Sequence, residues 1–187
     1  RLAVDFCLPN ATELQNGTCF LFPADIPDPT QPISFPSNFP GEAFYWNATA
    51  TGDVNGGKAL LLIALEGAFF NGPVVPGDQV AFARLRIRID TPNGGTFRVI
   101  HPFGEKTFDV PTGGRRAINF TADVGVVPGN FELALGGPIG PFLAASSTPG
   151  GAPLPFVVLP GGNTYLADPN IATPVTGSPF NTNYFRI

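Results

Sequence analysis

The chain has 187 residues and a net charge of −4, with 13% of its residues charged against 43% hydrophobic. That balance gives no electrostatic footprint for nucleic acid, and no apolar run is long enough to span a membrane as a helix. Glycine (23) and proline (22) make up about a quarter of the chain, yet 18 phenylalanines argue for a packed core, which assigns the breakers to turns between many short strands.

The first elements are short strands at Leu2–Leu8 and Cys19–Phe22, on either side of a loop closed by the two cysteines. Nothing else in the chain completes a metal site with Cys7 and Cys19, so a disulfide is expected, with two buried thiols as the alternative. Residues 24–41 carry proline at 27, 29, 32, 36 and 40, which cannot donate to a ladder. This stretch is either a linker or an arm lying across a sheet face with Ile33, Phe35 and Phe39 as anchors.

Glu42–Thr51 reads as a strand, and Asp53-Val54-Asn55-Gly56 as a hairpin turn, since a calcium loop would need further carboxylates. Ala59–Leu65 is an unbroken apolar run, the pattern of a strand buried on both faces. After Asn71-Gly72-Pro73 and Pro76-Gly77-Asp78, Ala83, Leu85, Ile87 and Ile89 alternate with Arg84, Arg86 and Arg88, as in a half-buried strand. Thr96–His101 and Glu105–Val110 form a hairpin with Phe97 and Val99 facing Phe108 and Val110. Arg116–Thr121 and Asn130–Leu135 read as half-buried strands, and residues 136–163 as a long loop with one short strand. Thr164–Ala167 and Asn183–Ile187 close the chain. About ten to twelve strands point to an all-β, single-domain β-sandwich or jelly-roll spanning residues 1–187, with an N-terminal disulfide loop (7–19) and a proline-rich arm (24–41).

Four sites fit the N-glycosylation pattern: Asn10, Asn16, Asn47 and Asn119, each followed two residues later by threonine. Alternation puts Phe44, Trp46 and Ala48 inward with Asn47 and Thr49 outward, and puts Ile118 and Phe120 inward with Asn119 outward. Glycans at such positions imply a secreted or surface protein; otherwise these are ordinary solvent-face strand residues. The chain starts at Arg1, without a leader pattern, and is read as a mature processed protein or an excised domain.

Candidates for chemistry are few. His101 is the only histidine and precedes Pro102 at a strand end, where a turn histidine bonded to backbone is the expectation. Glu66 ends the apolar run, where a carboxylate is costly unless paired, so Arg84, Arg86 or Arg88 is expected to reach it. A glycosidase pair with Glu42 or Glu132 has no support in the spacing. The arginine row could otherwise meet an acidic sugar or partner, and Tyr45, Tyr165 and Tyr184 could stack on sugars. No catalytic, cofactor or metal site is expected.

Three segments carry a resemblance: Phe39–Trp46 (FPGEAFYW), His101–Phe108 (HPFGEKTF) and Thr176–Ile187 (TGSPFNTNYFRI). They are similar to segments of an uncharacterised β-rich domain in large secreted and surface-anchored bacterial proteins. The resemblance implies extracellular placement and a structural or adhesive role, with no catalytic residue to carry over. Low charge and apolar strands near both ends point to a non-enzymatic extracellular subunit of a filament or surface layer, whose partners are copies of itself. Asn183, Tyr184, Phe185, Arg186 and Ile187 are the segment expected to pair with a neighbouring subunit. The alternative is a carbohydrate-binding or adhesion module of a larger surface protein, with surface glycans as its partner.

Overall fold

The computed structural model describes residues 7–8, 15, 19–137, 144–149, 151–155, 157–162, 164–165, 167–168, 171, 173–177 and 182–187. Its strands are β1 (Glu42–Val54), β2 (Gly57–Phe69), β3 (Gln79–Thr91), β4 (Gly95–His101), β5 (Gly104–Val110) and β6 (Gly114–Val124). Four two-residue strands follow, β7 (Ala144–Ala145), β8 (Val157–Val158), β9 (Thr164–Tyr165) and β10 (Val175–Thr176). The fold is all-β, with antiparallel pairing throughout the named strands. Among the described residues no helix is long and apolar enough to cross a membrane.

The main sheet has the order β1-β2-β3-β6, so β6 returns to β3 after the β4–β5 hairpin. Asn55 and Gly56 close β1 onto β2 with φ of 49° and 85°, the left-handed pair of a tight hairpin, and the turn pairs Val54 with Gly57. The inner face carries Ala59, Leu61, Ile63, Ala83, Leu85, Ile87, Ile89 and Ile118. Val99, Phe103 and Val110 of the hairpin region join the same buried cluster, and Phe97, Phe108 and Phe185 pack against it. Burial of these side chains stabilises the domain by roughly 1.5–3 kcal/mol for each fully buried large aliphatic. Phe97 lies opposite Phe108 as expected, while Val99 lies opposite Lys106.

Four readings need correction. Leu60 and Leu62 are only half-buried, so β2 is not covered equally on both faces. Their register neighbours are Arg88 and Arg86, so this face of β2 lies beside a charged row and not under a second apolar layer. Phe44 does not share a face with Trp46. A bulge between Phe44 and Trp46 shifts the register, placing Phe44 opposite Glu66 and Trp46 opposite Leu65. Phe44 then packs with Phe20 and Phe22, at centroid separations of 5.8 and 5.9 Å.

Residues 19–22 form no strand and lead into a 3-10 turn at Pro23–Asp25, whose proline starts the turn. Phe131–Gly136 is also a 3-10 turn rather than a strand. Both outer strands of the sheet lie elsewhere, and the turn instead folds onto it. Gly125 permits this: a Cβ there would stand 2.6 Å from the backbone nitrogen of Ala134. Strand Leu2–Leu8 falls largely outside the described residues.

In the proline-rich stretch, Phe35 and Phe39 pack on Phe69 at 6.0 and 6.5 Å, while Ile33 is exposed. Asn38 holds the stretch together: its Oδ1 accepts the Asp28 N–H at 2.8 Å, and its Nδ2 donates to the carbonyls of Asp28, Gln31 and Pro32.

Candidate functional site: the two ends of the polar sheet face

The face of the main sheet opposite the core presents Asn47, Thr49, Thr51, Lys58, Leu60, Leu62, Glu66, the three arginines of β3, and Asn119, Thr121 and Asp123 of β6. Register fixes their neighbours: Arg84 lies opposite Asp123, Arg86 opposite Thr121 and Arg88 opposite Asn119. Each arginine binds the side chain across from it, the usual currency of sheet stability. The distances are 2.8 Å from Arg84 Nε to Asp123 Oδ1, 3.2 Å from Arg86 Nε to Thr121 Oγ1 and 3.3 Å from Arg88 Nε to Asn119 Oδ1.

At one end three carboxylates share one cation. Arg84 makes a second bond to Asp123, Nη2 to Oδ2 at 3.0 Å, and its Nη1 lies 2.8 Å from Glu66 Oε2 and 3.5 Å from Glu42 Oε1. Of the three arginines expected to reach Glu66, only Arg84 does. Glu66 sits opposite Phe82, so Arg84 is its diagonal neighbour, while Arg86 and Arg88 are one and two pleats further away. The Phe82 ring lies 4.9 Å beneath the Arg84 guanidinium. Glu66 is 1% exposed, and its Oε2 makes an ionic contact with Arg84 without a well-directed hydrogen bond.

Burial pushes the Glu66 carboxyl up to about 8, and its hydrogen bond with Glu42 adds to this against the pull of Arg84. Glu66 therefore keeps a proton to higher pH than an ordinary carboxyl does. Burial works against the charge of Arg84, but Asp123, Glu66 and Glu42 together outweigh it. Glu42 is braced in turn by Asp25, whose Oδ1 accepts its backbone N–H at 3.1 Å. An acid beside a carboxylate has the composition of an acid–base pair. However, the adjoining hollow of about 410 Å³ is lined by Glu42, Arg84 and Asp123 and not by Glu66. The acid itself is buried behind that wall. Glu132 lies elsewhere, in the wall of a hollow with Tyr45 and Leu135.

The other end, about 25 Å away along β2 from Glu66 to Lys58, is basic and open. Lys58, Arg88, Arg115 and Arg116 line a hollow of about 580 Å³ with Thr51, Asp53, Leu60 and Asp90. Among the described residues none of these four cations forms an ion pair. Asp90 faces the main chain: its Oδ1 accepts the Arg116 N–H at 2.7 Å and its Oδ2 the Lys58 N–H at 3.4 Å. The Arg116 hydrogen bond is the main reason its carboxyl lies below the usual range.

The remaining expected residues fall in several places. Asn47 and Thr49 are exposed, as are Asn119 and Thr121, so both acceptor sites project from this same face. Asn10 and Asn16 lie outside the described residues. Cys7 and Cys19 are joined in a disulfide with Cα atoms 5.5 Å apart. Asn183–Ile187 runs beside its own β4, where Arg186 and Ile100 exchange N–H···O bonds of 2.8 and 3.0 Å. This is a single bridge and not a continuous strand.

His101 is buried, and its Nδ1 accepts the Phe103 N–H at 3.2 Å, as a turn histidine should. Burial lowers its pKa, and the charge of Lys106 adds to this. Tyr184 is exposed with the Arg186 guanidinium 5.3 Å over its ring, Tyr45 is half-buried at the bulge, and the Tyr165 side chain is outside the described residues. No group of three or more potential metal ligands occurs among the described residues.

Asp123, Lys58, Asp90, Arg115 and Arg116 were missed by sequence reasoning. The outward alternation Asn119, Thr121, Asp123 was there to be read, but matching it to Arg88, Arg86 and Arg84 requires the β3–β6 pairing. Comparison with protein-family models, with curated proteins and with solved structures returned no match.

Proposed function

We propose that this is a non-enzymatic extracellular structural β-domain, a sandwich of the main sheet and its covering hairpin, whose copies assemble by exchanging the Asn183–Ile187 segment. The observation that carries the reading is the seating of that segment. Phe185 packs against the core cluster and Arg186 bridges Ile100, so the segment is held beside β4 by one pair of backbone hydrogen bonds and one buried ring. The same contacts can be made by the segment of a neighbouring copy without any new surface, which is how strand exchange builds polymers.

A second support is the edge of β1. From Trp46 to Val54 it carries no proline, lysine or arginine, the residues that usually guard an edge against pairing. Extracellular placement is supported by the disulfide, which persists in oxidising compartments, and by the two exposed acceptor sites at Asn47 and Asn119.

The test is a cysteine at each side of the bridge, Ile100→Cys with Arg186→Cys, in the secreted protein. Exchange between copies yields a ladder of covalent multimers on a non-reducing gel and regular fibres by electron microscopy. A single cross-linked monomer band, with dispersed particles, would overturn the proposal.

A further inference from the structure

We infer that the basic hollow bounded by Lys58, Arg88, Arg115 and Arg116 is a binding site for an anionic saccharide, one that bears uronate carboxylates or sulfate esters. The juxtaposition is built by the fold. Lys58 comes from the start of β2, Arg88 from the end of β3, and Arg115 and Arg116 from the start of β6, three strands that meet at this end of the sheet. Four cations face two carboxylates, Asp53 and Asp90, which leaves a local excess of positive charge in a chain whose net charge is −4.

The cations outnumber their partners: Asp90 lies within electrostatic reach of Arg115 and Arg116, and Arg88 Nε donates to Asn119 Oδ1 at 3.3 Å. Those guanidinium and ammonium groups enter no ion pair among the described residues, whereas Arg84 at the other end is saturated with three acids. Asp90 is the brace. Its carboxylate ties the backbone nitrogens of Lys58 and Arg116 together, so the β2 and β6 walls of the hollow are fixed to β3. Gly57 completes the fit, since a Cβ there would stand 2.4 Å from the Asp90 carbonyl oxygen.

Arg116 sits at φ 49°, a left-handed conformation that a long side chain rarely adopts and that asparagine or glycine would take more easily. Backbone strain of this kind collects at sites where a side chain must be aimed. Here it places a cation at the mouth of the hollow.

The lining selects among anions. It contains no aromatic ring, so it offers no platform for a nucleic-acid base. Thr51 and the Asp53 carboxylate supply acceptors for hydroxyl groups, which a saccharide has in number and a sulfate ion lacks. Arginine forks suit carboxylate and sulfate oxygens in paired hydrogen bonds. Phe185, Arg186 and Ile187 of the assembly segment line an adjoining hollow that shares Thr51, Gly52, Asp53 and Ala59 with this one, and the two readings are told apart by their readouts, saccharide binding here and covalent multimers there.

The test is calorimetric titration of the full chain, kept dilute, with four probes: an oligogalacturonate, a sulfated oligosaccharide, a neutral oligosaccharide of equal length, and a single-stranded oligonucleotide. The expected result is binding of one or both acidic saccharides, weakening with salt, and none of the neutral one. Affinity should fall at least tenfold in Arg88→Gln/Arg115→Gln and also in Arg116→Gly, a variant that relieves the backbone while removing the cation. Absence of binding to both acidic saccharides, equal affinity in these variants, or tighter binding of the oligonucleotide would overturn the inference.

Discussion

The two ends of one sheet face solve opposite problems with the same residue types. At the Glu66 end an arginine is enclosed, stacked on Phe82 and shared by three acids, and every charge there is consumed by its neighbours. At the Lys58 end Asp90 is spent on backbone nitrogens, and Lys58, Arg115 and Arg116 are left exposed beside a half-buried Arg88. Buried charges demand partners because their desolvation is costly, so the first end is structural. Exposed charges gain little from pairing, so a cluster that has avoided pairing is available to something else. The lesson is that a run such as Arg84, Arg86, Arg88 cannot be assigned one role, since two pleats of distance separate a core ion pair from a surface cation.

The largest break in this contrast comes from Arg84→Met. It strands three carboxylates around an apolar chain, and chemical denaturation should report a loss of about 3–5 kcal/mol, the range for breaking a buried pair. A loss below about 1 kcal/mol would mean that the cluster is no better sealed than the basic end.

Next in size is the pH dependence. Glu66 titrates near 8 in the folded protein against an ordinary 4.5, so between those values the folded state binds a proton that the unfolded chain releases. Stability from this group is complete below pH 4.5 and is lost as the pH rises through 8, a decline on the order of a few kcal/mol. Unfolding curves at a series of pH values should show that decline in the wild type and its loss in Glu66→Gln, which keeps the neutral hydrogen-bonding form at every pH.

Smaller effects sharpen the boundary between the ends. Arg86→Gln gives up the bond to Thr121 on a half-exposed surface, for about 0.5–1 kcal/mol in the same denaturation assay. Smallest is Arg116→Gly, where relief of the left-handed backbone offsets the extra freedom of the unfolded chain. The melting temperature should stay within a few degrees of the wild type or rise slightly.

Much of the scaffold was legible. The alternation from Ala83 to Ile89 and the Asn55-Gly56 turn are local patterns, and the structure follows them. The Cys7–Cys19 pair was legible because the chain has no other cysteine. What could not be read depends on distant partners. The pairing of β3 with β6 skips the whole β4–β5 hairpin, and without it neither the Asp123 partner of Arg84 nor the meeting of Arg88 with Arg115 and Arg116 is visible. The bulge at Tyr45 reverses Phe44 against a strict alternation, and no single residue there signals it. The segment 130–135 alternates like a strand but lies against Gly125 as a turn, a packing choice that its own composition does not reveal.

The measurement that tests the contrast most directly is a titration of isotopically labelled protein with oligogalacturonate and with the sulfated oligosaccharide, followed by amide chemical shifts. Binding at the basic end moves the signals of Thr51–Leu60, Arg88–Asp90 and Gly114–Arg116 in at least one of the two titrations, while those of Glu42, Glu66, Arg84 and Asp123 stay in place. Shifts centred on the acid end, or spread evenly over the face, would contradict it.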